Sequence, residues 1–258
     1  MKRWYKLGAA LCVALSIPLI LRAIPVEEAN DDFIAEIPEM IQTAEKEKFE
    51  QTLPSEKEPE ERATYVSPID FAQLTEINPH IYAWLDIPEA DTSYPVVQHP
   101  EDDSFYLDRD INGEYRQAGS LFTEHEYNSI DFNDPVTIIY GHYMNSGAMF
   151  GNLQQFYSNP QNFTENNRIT VYLPDRELNY QVFAATKYDN RHILDNYDFS
   201  NPKMFEVFFE SILSIRDLSA QLDQNIDLNA DDKVLILSTC LKGDYSQRYL
   251  VFAKQLVI

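Results

Sequence analysis

Val234-Leu-Ile-Leu-Ser-Thr-Cys240 is an unbroken run that closes on a cysteine, and Arg248 stands at the start of a second run, Tyr249-Leu-Val-Phe-Ala253. Short apolar runs of this kind predict buried strands. If the two strands are adjacent and antiparallel, a connection of about seven residues brings Arg248 back beside Cys240. Upstream, Val136-Thr-Ile-Ile-Tyr-Gly-His142 is a third strand-like run, and it ends on a histidine. The only other cysteine, Cys12, lies in an N-terminal apolar stretch and is a small apolar filler there. Cys240 therefore has no disulfide partner within its own domain. In an extracytoplasmic domain a free thiol is a liability unless it has a task, and attack with a histidine partner is such a task.

The texture from about Tyr65 onward is one of short apolar segments broken by turn residues. Strands are predicted at Ala83–Ile87, Tyr94–Gln98, Gly119–Thr123, Val136–His142, Ile169–Leu173, Leu178–Lys187, Lys233–Thr239 and Tyr249–Val257. Eight strands with few intervening helices imply a mainly β fold, an antiparallel or mixed barrel. A short helix is expected at Ile69–Leu74. A long helix precedes the cysteine strand: Asn201 is a good N-cap and Pro202 fits the first turn. Phe205, Phe208, Phe209, Ile212 and Ile215 form an apolar stripe running on to Leu218, which is core packing.

Two segments precede this domain. Leu7–Leu21 is an uncharged apolar run behind Lys2, Arg3 and Lys6. Counted from Trp4, with the basic residues snorkelling, it offers about the ~20 residues that span a bilayer. No small-x-small cleavage site follows, so residues 1–26 are expected to be an uncleaved membrane anchor with its basic flank in the cytoplasm. Everything after Val26 then lies outside. Residues 27–66 read as an acidic extracytoplasmic linker: Glu27–Thr64 holds 13 acidic against 4 basic residues, punctuated by Pro38, Pro54 and Pro59. Glu36–Phe49 within it has the composition of an isolated helix. Residues 67–258 form the catalytic domain.

The whole chain of 258 residues carries a formal charge of −22, which excludes nucleic acid as a partner because phosphate binding needs clustered Lys and Arg. His80, His99, His125 and His192 show no ligand spacing, so no metal and no other cofactor is expected. Asp227, Asn229, Asp231 and Asp232 mimic an EF-hand but lack its glycine and closing glutamate, and read as a turn.

The chemistry available at Cys240, His142 and Arg248 is that of acyl transfer. A thiolate attacks, an imidazole moves the proton, and a permanently charged guanidinium stabilises the oxygen that becomes negative. Each residue alone has a bland reading: a buried small side chain, a structural histidine, a surface charge. The combination does not.

At these positions the chain resembles the sortases, class B in particular. Ile139-Tyr-Gly-His-Tyr-Met-Asn-Ser-Gly-Ala-Met-Phe-Gly151 is similar to their histidine region. Leu237-Ser-Thr-Cys240 with Arg248 matches their Thr-x-Thr-Cys…Arg signature, with Leu237 where Thr is commonest. Tyr94-Pro-Val-Val-Gln98, Ala118-Gly-Ser-Leu-Phe122 and the helix at 201–218 add to the likeness, which covers about residues 67–258. The resemblance implies a sortase β-barrel in a membrane-anchored cysteine transpeptidase of a Gram-positive bacterium. Such an enzyme cleaves a C-terminal sorting signal of a surface protein or pilin and passes the acyl group to an amine of a cell-wall precursor or pilin lysine. Cys240 is then the nucleophile, His142 the general acid/base, Arg248 the contact to substrate or oxyanion, and Ser238 and Thr239 shape the site. Where some class B members carry an acidic residue soon after the cysteine, this chain has Leu241 and Lys242, with Asp244 following. The rival readings are an L,D-transpeptidase-like peptidoglycan enzyme and a non-enzymatic anchored acidic surface protein.

Overall fold

The computed structural model of the chain describes residues 65–165 and 167–256. The expected anchor and most of the expected linker, including the possible helix at Glu36–Phe49, lie outside them. Among the described residues no helix is long and apolar enough to cross a membrane.

In chain order the first elements are helix α1 (Phe71–Ile77) and strands β1 (Ile81–Ile87), β2 (Thr92–Val97), β3 (Leu121–Phe122) and β4 (Val136–Tyr140). Helices α2 (Leu153–Tyr157) and α3 (Pro160–Glu165) follow, then strands β5 (Arg168–Tyr172) and β6 (Glu177–Asp189). The last part is helix α4 (Ile193–Asn196), helix α5 (Pro202–Leu213), β7 (Gln221–Leu222), β8 (Val234–Leu241) and β9 (Asp244–Gln255).

Eight of the strands close into a barrel in the order β5-β1-β2-β3-β4-β8-β9-β6, sealed by a β5–β6 pairing. The barrel is mixed, with β2–β3 and β4–β8 parallel. Each of the eight corresponds to a strand expected from sequence. The ninth, β7, is appended outside the circle on β6 at Ala184 and Ala185.

The closed barrel explains why Val234–Leu237 reads as continuously apolar. Leu235, Leu237 and Leu241 point inward with Leu85, Val96, Ile139, Val171, Val182 and Val251. Val234 and Ile236 face outward and are covered by α5, whose Phe205, Phe208, Phe209 and Ile212 pack on them and on Ile138, Leu250 and Phe252. A strand buried on both faces needs apolar residues at every position. A third cluster sets Phe71 and Leu74 of α1 against Ile81, Trp84, Tyr106 and Phe122.

Helix α5 begins as its sequence predicts, with the Asn201 side chain accepting a hydrogen bond from Lys203 N (3.1 Å) and Pro202 in the first turn. It stops at Leu213, five residues short of the expected Leu218. Its last turn closes through Ser214 N to Glu210 O and a tighter Ile215 N to Ile212 O bond, and beyond it Asp217 accepts from both Ser219 N and Ser219 Oγ at 2.8 Å. Leu218 is left fully exposed. The short N-terminal helix is likewise shifted, to Phe71–Ile77, where Asp70 caps it by accepting from Gln73 N.

Candidate active site

Strand β8 carries Cys240 one residue from its end, and the pleat divides its neighbours between two faces. Thr239 points into the barrel; it is 2% exposed and its hydroxyl has no hydrogen-bond partner among the described residues. Ser238 and Cys240 share the outer face, Ser238 buried and Cys240 part-exposed as a free thiol.

Arg248 of β9 is the direct cross-strand partner of Cys240, and its Nη1 lies 3.7 Å from Sγ. The pairing register breaks beyond this pair: Cys240 faces Arg248, but Leu241 faces Asp244. Tyr245, Ser246 and Gln247 therefore have no opposite number on β8. Two of their freed carbonyls, Tyr245 O (3.3 Å) and Gln247 O (3.4 Å), hold the same Nη1. Bulges commonly re-aim a side chain at a site in this way. The strands meet in a tighter turn than the seven-residue connection expected from sequence, because Gly243 adopts φ +82° between Leu241 and Asp244.

His142 arrives from the other side. Parallel β4 and β8 pair Tyr140 with Ser238, and Gly141 N continues the ladder to Ser238 O at 3.0 Å. Continued two residues along both chains, that register sets His142 opposite Cys240. Gly141 is required by space: a Cβ there would fall 2.4 Å from Leu121 Cδ2 and 2.7 Å from Phe150 Cδ2.

The His142 ring is oriented by a backbone group. Its Nε2 lies 2.7 Å from Leu107 O. A carbonyl only accepts, so Nε2 carries the proton and the neutral ring keeps its lone pair at Nδ1. Leu107 sits in the long connection between β2 and β3, in a region without a motif for such a role. Asp244, the nearest acid after the cysteine, is committed elsewhere. Its carboxylate accepts from Ser246 N (3.0 Å), Ser246 Oγ (2.5 Å) and Gln247 Nε2 (3.1 Å), and the Ser246 bonds hold it below the usual carboxylate range.

Beside these residues lies a polar cluster that sequence reasoning missed. Burial and the adjacent Glu124 push the Tyr140 phenol far above its ordinary range. Both oxygens of Glu124 accept from His192 Nε2, at 2.8 and 2.9 Å, while His192 Nδ1 accepts from Asp195 N and caps α4. No local spacing links Glu124 to His192, so nothing in the sequence could have paired them.

A free thiol flanked by a guanidinium and level with an imidazole whose Nδ1 is available has the parts for thioester chemistry. Comparison with known proteins agrees. The sortase domain family matches residues 85–256. Sortase B of Staphylococcus aureus is 28% identical over 193 residues, spanning 71% of this chain and 73% of that protein. Sortase B of Listeria monocytogenes is 25% identical over 194 residues, spanning 73% and 74%. The X-ray structure of Clostridium perfringens sortase B aligns with a TM-score of 0.63 at 27% identity, over 73% of this chain and 100% of that one. Sortase B from Bacillus anthracis gives a TM-score of 0.67 at 26% identity, over 89% and 99%. The chain belongs to the sortase family and is a class B sortase, a cysteine transpeptidase that acts on surface proteins bearing sorting signals and delivers them to amine acceptors.

Proposed function

We propose that Cys240 is the nucleophile of this transpeptidase, His142 its general acid/base and Arg248 its oxyanion contact, in a single-pass membrane protein of a Gram-positive cell. The Cys240 thiol passes its proton to His142 Nδ1, and the resulting thiolate attacks the carbonyl of the Thr in a sorting signal, for which an Asn-Pro-x-Thr-x sequence is the first candidate. Negative charge builds on that oxygen beside the guanidinium of Arg248. His142 then gives a proton to the departing amine, the C–N bond breaks, and an acyl thioester remains on Cys240. An incoming amine, from a cell-wall precursor or a pilin lysine, loses its proton to His142 as it displaces the thiolate.

The observation that carries this reading is the Cys240–Arg248 pair, Sγ 3.7 Å from Nη1; the parallel pairing of β4 with β8, continued past Tyr140 and Ser238, supports His142 as the third member of the site. Ser238 shares the face of Cys240 and borders the site. Thr239, turned inward, supports the strand from within the barrel. The L,D-transpeptidase and acidic-scaffold readings have no comparable observation behind them.

The remaining assignments rest on the sequence. Residues 1–26 anchor the chain in the membrane, residues 27–66 are an acidic spacer, and residues 67–258 are the catalytic domain outside the cell. Mass spectrometry of the protein incubated with sorting-signal peptides is expected to show an acyl adduct on Cys240, absent from Cys240→Ala. An adduct that persists in the alanine variant would sink the assignment. Fractionation of cells making the full chain is expected to place it in the membrane; a folded domain released into the medium without its N-terminal segment would instead indicate a cleaved signal.

A further inference from the structure

The carbonyl that orients His142 is itself held in place by a set of side chains that touch none of the reacting groups. Leu107 follows Tyr106, whose ring is 2% exposed and whose hydroxyl sits between Asn78 Nδ2 at 2.7 Å and His80 Nδ1 at 2.8 Å. The amide of Asn78 donates at Nδ2, so the phenolic oxygen accepts from Asn78 and shares its second hydrogen bond with His80 Nδ1. Burial, followed by the neighbouring His99, pushes His80 below its ordinary range and favours the neutral ring that can accept. Asn78 is buried and fully committed: it also donates to Ile111 O (2.7 Å) and accepts from His80 N (2.9 Å). The Tyr106 carbonyl takes Ser120 N at 3.0 Å, which ties the same peptide to the start of β3. Gly119, at φ +58°, closes the arrangement. A Cβ there would lie 2.5 Å from Leu107 O and 2.7 Å from Tyr106 O, so the backbone of residue 119 packs directly against the oxygen that holds the imidazole.

We infer that Tyr106, fixed by Asn78 and His80, and Gly119 are positioning residues for His142, acting through the carbonyl of Leu107. Here the main chain fills the place that a carboxylate takes beside a catalytic histidine, and the buried phenol supplies the rigidity that a mobile loop lacks. A carbonyl set in this way imposes the Nε2–H tautomer and leaves Nδ1 as the only basic nitrogen. Outer groups that fix a histidine's tautomer matter nearly as much as its direct contacts. The inference rests on His142 being the acid/base, but its main readout does not depend on activity.

The test is nitrogen NMR of the full chain with ring-15N histidine, the His142 signals being identified by their loss in His142→Ala. At about pH 8, above the ordinary histidine range, the wild type is expected to be in the Nε2–H form. Tyr106→Phe is expected to mix the two tautomers and to lower kcat about tenfold with KM kept, a fraction of the ~10²–10⁴ that acid–base transfer supplies. His80→Ala, at a half-exposed position that leaves the core intact, is expected to move both readouts in the same direction and by less. Tyr157→Phe removes a buried hydroxyl that has no partner and is expected to change neither. An Nδ1–H wild type would overturn the inference. So would a folded Tyr106→Phe or His80→Ala that keeps the wild-type tautomer, whether or not kcat falls. A wild type with the expected tautomer but no transfer to any amine would count against the proposed catalytic roles and leave this inference standing.

Discussion

Replacing Arg248 by lysine keeps the positive charge and removes the planar fork, so it separates two ways in which the residue can act. Nη1 is placed by Tyr245 O at 3.3 Å and Gln247 O at 3.4 Å, and these fix it 3.7 Å from Sγ. No other guanidinium nitrogen has a partner among the described residues, which leaves donors for a developing oxyanion. The lysine ammonium has three donors but all on one nitrogen, so while it stays on the two carbonyls it cannot reach where the other guanidinium nitrogens of the planar fork present theirs. If the ammonium settles ~1.5 Å further from Sγ, the charge–charge attraction weakens by only about 1 kcal/mol at an effective dielectric of ~20. Losing one oriented oxyanion donor costs about 2.7–4 kcal/mol, or ~10²–10³ in kcat, so the donor geometry dominates. Steady-state kinetics with a sorting-signal peptide and an amine acceptor are therefore expected to show kcat lower by ~10²–10³ with KM nearly unchanged. Thermal stability should shift little, since such partly exposed substitutions stay within about 0.5 kcal/mol. A raised KM with kcat retained would mean that Arg248 holds the ground-state peptide. Unchanged kcat and KM would make it a surface charge and refute the three-residue site.

His142→Ala is expected to lower turnover by more than ~10²-fold, and near-native rates across the pH range would remove histidine from the mechanism. Gly141→Ala forces a Cβ against Leu121 and Phe150, both buried, and is expected to destabilise by about 1–3 kcal/mol and to depress kcat by displacing His142; wild-type stability and rate together would show that the pocket yields freely. Phe208, 1% exposed among Phe199, Phe209 and Phe252, anchors α5, so Phe208→Ala is expected to cost about 3–5 kcal/mol, or roughly 6–20 °C in Tm, with residual activity below the transition. A smaller loss by calorimetry would mean that α5 repacks.

The sequence by itself determined the parts whose physics is local. The barrel strands show as apolar or alternating runs with turn residues around them: β8, covered on both faces, is apolar from Val234 to Leu237, whereas β5 alternates between buried and more exposed positions. The start of α5 was legible in Asn201-Pro202 and its phenylalanine stripe, since capping and periodicity are written within a dozen residues. Arg248 beside Cys240 followed from two runs separated by a short connection. The tertiary structure decided everything that depends on distant chain segments meeting. Parallel pairing of β4 with β8 brings His142 level with Cys240, and no propensity encodes which strands of a closed barrel become neighbours. The tight turn and the bulge that aims Arg248 depend on a glycine at φ +82° and a three-residue break in register. α5 ends at Leu213 with a tight closing turn at Ile215, which the apolar stripe running on to Leu218 does not reveal. The least legible group is the one that orients the imidazole: Leu107 acts through its carbonyl, which every residue possesses, and only its placement by Tyr106 and Gly119 gives that oxygen a function.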